Sequence, residues 1–162
     1  MAASPAEIAV APELLYQCRK AASMNAIADG LTYTIAERFD KVLKLIRTAL
    51  SETELTVAGE LDSAEGVNWE PGNKAVRSRI LLVDCPLLVF EALALDRAAA
   101  VFFPLHVLVS AAGDRTQVSV VNPAALFDAR LPVGAAEPME KLQARVALAL
   151  ESVLLRSGTN NH

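Results

Sequence analysis

Apolar residues at Ile35, Phe39, Val42, Leu43, Ile46 and Leu50 recur every three or four positions, while Glu37, Arg38, Lys41, Lys44 and Arg47 fill the gaps. That spacing lays one apolar stripe along a helix. Ahead of it, Thr34-Ile35-Ala36-Glu37 reads as a capping box, in which hydroxyl and carboxylate accept from backbone amides that have no helical partner. The pattern therefore predicts a helix from about residue 34 to residue 50 or 51. Met139, Leu142, Val146, Leu150, Val153 and Leu154 form a second stripe, which predicts a long C-terminal helix after a loop holding Pro132 and Gly134.

Elsewhere the period falls to two. Leu55, Val57, Gly59 and Leu61 alternate with Thr56, Ala58 and Glu60, as expected of a strand whose odd-numbered residues share a face. Residues 31–33 and 79–83 read as short strands, the second apolar after Arg79 and of the kind covered on both faces. Residues 98–103 and 105–111 read as two strands, or one bent at Pro104. Ala112-Gly113-Asp114-Arg115 forms a hairpin turn into a strand over 116–121. Pro86 directly follows Cys85, and proline suits the first helical position because its missing amide would be unpaired there. A helix over 86–95 follows, apolar on nearly every side and so expected to be buried. Asn122-Pro123 predicts a further short helix to residue 127.

Residues 1–13 read as a tail broken by Pro5 and Pro12, residues 62–74 as a loop, and residues 157–162 as a polar tail. Residues 14–23 fit a strand or a helical turn equally. What remains, 14–156, is expected to be a single α+β domain: a mainly antiparallel sheet backed by helices. Composition supports this. The chain has 162 residues, 53 % hydrophobic but only 5 % aromatic, so its core is built chiefly from Ala, Val, Leu and Ile.

Net charge is −4, and no run of four basic residues occurs. Phosphate neutralisation needs clustered cations, so nucleic acid is not expected as a partner. No stretch is apolar for long enough to span a bilayer, and no membrane association is expected. Two cysteines, Cys18 and Cys85, are too few for a disulfide framework, which favours a reducing, cytoplasmic location.

Several segments look familiar in order and spacing. Thr56-Val57-Ala58-Gly59-Glu60-Leu61-Asp62 is followed by Ile80-Leu81-Leu82-Val83-Asp84-Cys85-Pro86. Then come Leu105-His106-Val107-Leu108-Val109, entered through Pro104, and Val118-Ser119-Val120-Val121-Asn122-Pro123. Together, over roughly residues 32–131, they resemble the domain of unknown function 302 family. The resemblance implies a curved antiparallel sheet backed by helices, in a TATA-binding-protein-like arrangement. It implies no activity, and a likeness of fold is no warrant for DNA binding. Family members often carry Gly-Asn where this chain has Asp84-Cys85, and Leu where it has Phe103. Cys85 is thus no family motif residue.

Three residues stand out as binding candidates. Cys85 lies where α-helical amides converge, a position that favours thiolate character if the sulfur is exposed, although Asp84 opposes it. His106 shares a strand face with Leu108 and could pair with a thiol if the two meet. Trp69 sits in a loop beside Pro71 and Gly72, where an aromatic can lid a pocket or anchor a partner. Glu60, Asp62, Glu65, Glu70 and Asp84 are expected to be solvated. No metal-ligand spacing, phosphate loop or nucleophile elbow occurs. The sequence therefore favours a non-catalytic binding or homodimeric assembly module, with a small-molecule ligand possible and cofactors unknown. The alternative is a thiol-dependent enzyme, or a metal- or haem-binding protein, using Cys85 and His106.

Overall fold

Leu81 and Val83, Leu105, Val107 and Val109, and Val118 and Val120 are all buried, and each set lies at alternate positions of its own strand. Strand alternation sends them to one side of a sheet. The computed structural model describes residues 30–62, 76–121 and 133–158. In chain order these form β1 (Leu31–Ile35), α1 (Phe39–Glu52), β2 (Thr56–Asp62), β3 (Ser78–Asp84), α2 (Pro86–Leu95), a short 3-10 helix (Arg97–Phe102), β4 (Leu105–Ala112), β5 (Arg115–Val120) and α3 (Val133–Gly158). The strands make one sheet in the order β1-β5-β4-β3-β2. Every neighbouring pair is antiparallel, so the expected α+β class is the one observed. The β4–β5 hairpin turns through Gly113 and Asp114, with Gly113 at φ 68°. A positive φ at the first turn residue matches the right-handed twist of the strands.

Both long helices cover the buried face. Phe39, Val42, Leu43, Ile46, Ala49 and Leu50 of α1 join Met139, Leu142, Val146, Ala149, Leu150 and Val153 of α3 in the cluster that holds the inward strand residues. The helical periodicity read from the sequence therefore identifies the core correctly. A smaller cluster of Ala92, Ala99 and Ala135 joins α2, the 3-10 helix and α3. Alanine at each contact lets the backbones approach closely.

Four local expectations are overturned. Thr34 and Ile35 do not open a helix but pair with Gln117 and Thr116 at the end of β1, and Arg38, at the N-cap of α1, makes no side-chain cap. The ladder with β5 outweighs the capping signal. Residues 97–102 form a 3-10 helix rather than a strand, started by the Asp96 carboxylate, which accepts from the Ala98 amide at 2.9 Å. Phe103 is extended, as the residue before a proline tends to be. The loop expected around Gly134 is already helix, and at the other end α3 runs to Gly158 with Ser157 buried.

The fourth concerns β2, where the register against β3 shifts between Val57 and Gly59. The extra residue is a β-bulge, and it reverses the alternation beyond it. Val57 pairs with inward-facing Val83, but Glu60 pairs with inward-facing Leu81. Leu61 is turned to the opposite face and is 52 % exposed.

Candidate functional site

Cys85 is the N-cap of α2. Its backbone is extended, Pro86 occupies the first helical turn, and its carbonyl accepts from the Val89 amide at 3.1 Å. The neighbouring Asp84 carboxylate accepts from the Cys85 amide at 2.6 Å. The side chain continues the inward series of Leu81 and Val83 and is only 2 % exposed, within the main core cluster. Arg145 of α3 reaches it, donating from Nη1 to Sγ at 3.5 Å. Sixty positions separate the two residues, so local spacing holds no sign of this contact.

His106 pairs with Leu82 across β3 and β4 and is exposed. Leu82 alternates with the inward Leu81 and Val83, so His106 lies on the face opposite Cys85. The sheet stands between the two side chains, and they do not form a thiol–imidazole pair. Trp69, like Cys18, Glu65 and Glu70, lies outside the described residues. Among the described residues, no group of three or more His, Cys, Asp or Glu side chains is placed to hold a metal ion.

Glu60 and Asp62 are not merely solvated. The bulge aims Glu60 toward α1, where Arg47 grips both carboxylate oxygens from Nε and Nη2 at 2.7 and 2.6 Å. Arg79 adds longer contacts to Glu60 and Asp62, at 3.5 and 3.2 Å. The hydrogen bond from Arg47 holds the Glu60 carboxyl below its usual range, and the same bond to Glu60 raises Arg47. Two carboxylates matched to two guanidiniums form a structural clamp between α1 and the β2 edge. Proton transfer calls for a carboxyl poised near the working pH, not one held lower.

The largest departure from expectation is α2. Its sequence, PLLVFEALAL, is apolar nearly all round, yet only Leu88 and Ala92 are buried. Leu87 is 68 % exposed and Phe90 71 %, with Leu95 and, on the adjoining 3-10 helix, Val101 exposed as fully or more so. A helix with a single polar position carries too little periodicity to say which side faces the core, so the pattern could not reveal this surface. Its one charged residue, Glu91, is bridged by Lys141 of α3 at 3.3 Å; Lys141 also meets Glu137 at 3.0 Å. Hydrogen bonds to Glu137 and then to Glu91 raise the Lys141 ammonium above its ordinary value. Scattered exposed apolar residues are ordinary, but several on one short helix are not. No described helix is long and apolar enough to cross a membrane.

An all-antiparallel five-stranded sheet with helices on one face, a buried helix-start thiol and an exposed apolar helix define a small α+β protein. The chain belongs to the family Domain of unknown function DUF302, whose model matches residues 31–153. The crystal structure of an uncharacterized conserved DUF302 protein from Bacillus stearothermophilus is similar, with a TM-score of 0.67 at 16 % identity over 80 % of this chain and 99 % of that one. At that identity the likeness shows the fold alone. No curated protein matches the chain.

Proposed function

We propose that this protein is a non-catalytic assembly module that works as a homodimer in a reducing, cytoplasmic setting. The observation that carries the reading is the uncovered apolar side of α2, with Leu87 and Phe90 each more than two-thirds exposed. Water disfavours such surface by roughly 25 cal/mol per Å², which association recovers. Self-association through a symmetric patch is the commonest way for one kind of chain to cover it. The thiol-enzyme alternative has less support, because the Cys85 sulfur is buried and His106 lies across the sheet.

Size-exclusion chromatography with light scattering on the full chain tests the reading. The expected result at high micromolar concentration is a mass twice the 17.3 kDa of one chain. A species of one chain's mass under those conditions would overturn it.

A further inference from the structure

We infer that the two copies meet through α2 itself, the two helices running antiparallel across a two-fold axis beside Phe90. This deepens the assembly reading and rests on it. Leu87, Phe90 and Ala94 occupy positions i, i+3 and i+7 of α2, one stripe along the helix, and all three are exposed. Leu87 and Ala94 lie symmetrically about the midpoint between Phe90 and Glu91. An antiparallel pairing centred there sets Leu87 of each copy against Ala94 of the other, large against small. The two Phe90 rings then flank the axis. This is the self-complementary match that a two-fold interface requires.

Charge fits the same geometry. Glu91 is the one ionised side chain of α2, and it is drawn to Lys141 on its own chain. Two copies can therefore approach without opposing bare carboxylates, and the helix dipoles run in opposition, which is favourable. Area fits as well. Leu87 and Phe90, with Leu93 at the edge of the stripe, present at their observed exposures on the order of 350 Å² per copy, a little under half of the about 800 Å² that each partner gives to a standard interface, and Leu95 and Val101 flank the contact. Two other surfaces are less suited. The sheet side holding Leu61 mixes half-buried Ile80, Leu82 and Leu108 with His106, Ser110 and Ser119, and the free edge of β2 is broken by its bulge, a device that discourages strand pairing.

The experiment compares the full-length chain with Phe90→Glu and with Leu61→Glu as a surface control, by light scattering, with far-UV circular dichroism to confirm folding. A dimeric wild type, a Phe90→Glu variant weakened about a hundredfold or more in self-association and an unaffected Leu61→Glu support the pairing. A Phe90→Glu variant that stays as dimeric as wild type overturns the pairing and leaves the assembly reading standing. A monomeric wild type overturns both. Should Phe90→Glu not fold, a chain carrying both Phe90→Cys and Cys18→Ser, treated with a short bis-maleimide, decides. A covalent dimer supports the pairing. Its absence, or an introduced thiol shielded within a monomer by another segment of the chain, overturns it.

Discussion

Arg145 of α3 donates a hydrogen bond to the sulfur of Cys85, tying the long C-terminal helix to the first turn of α2. The contact explains why a cysteine at a helix start can be structural. Its sulfur is surrounded by core side chains and partnered by a guanidinium whose residue is half-buried.

Buried structural cysteines are chemically inert. Cys85 is therefore expected to be alkylated only when the fold opens, at a rate at least about a hundredfold below that of an unfolded control under the same conditions. Peptide mapping by mass spectrometry after an iodoacetamide time course, in native buffer and in urea, checks this and separates Cys85 from Cys18. Native-state labelling as fast as in urea would refute the burial and revive the thiol-enzyme reading.

Thr116 is fully buried, and its hydroxyl donates to the Glu37 carbonyl at 2.8 Å. It pins the short link between β1 and α1 onto β5. Thr116→Val keeps the shape but leaves a carbonyl without that donor, so a loss of about 1–3 kcal/mol in unfolding free energy is expected. Urea denaturation measures it. An unchanged midpoint would mean that water replaces the hydroxyl.

That same link shows where sequence reasoning succeeds and where it stops. The stripes of α1 and α3, and the alternation of β5, are legible because each has one buried face and one wet one, whereas Ile80 to Val83 is an unbroken apolar run expected to be covered on both faces, and only Leu81 and Val83 are buried. Thr34 to Glu37 carries a sound capping signal, but five backbone pairings with β5 claim β1 through Ile35, and a non-local ladder is invisible to local pattern. Leu61 lands on the opposite face from the one its alternation predicts, because a single bulge at residues 57–59 reverses every later side chain. Ala98, Ala99 and Ala100 suit a helical turn as well as a strand, and Asp96 decides between them. As for the site, Cys85 at a helix start is legible, while its burial, the face taken by His106 and the exposure of α2 all depend on packing.

The bulge also sets up a pH dependence. Arg47 holds the folded Glu60 carboxyl below the ordinary range. The unfolded carboxyl titrates near about 4.3, so the pair's contribution is fully present above that pH and is lost as pH falls through the lower, folded value. Arg47 is nearly half exposed, which limits the contribution to about 1 kcal/mol. Glu60→Gln should thus cost about that much at pH 7 and converge with wild type in acid. Urea midpoints across the range test it; a gap that widens toward low pH would show the sign to be wrong.

Gly134 presents a contest between two effects. It lies in the first turn of α3, where Gly→Ala ordinarily gains about 1 kcal/mol in helix propensity. A Cβ there, however, would sit 2.9 Å from the Asp96 amide nitrogen and from the Leu95 Cβ, and 3.0 Å from the Ala92 carbonyl oxygen. Two of those three atoms are backbone, and they belong to the bond that closes the last turn of α2, Asp96 N–H to Ala92 O at 2.9 Å. They cannot rotate away as a flexible side chain could, so α2 and α3 must separate. Overpacking of this kind costs about 1–3 kcal/mol, enough to outweigh the propensity gain. Gly134→Ala is therefore expected to melt several degrees below wild type, and Gly134→Val further below. Gly158, at the other end of the same helix, has open space around it, so Gly158→Ala should leave the melting temperature unchanged or slightly raised. Thermal melts of the three variants decide: a stabilising Gly134→Ala would mean that α2 rides more loosely on α3 than the contact distances imply.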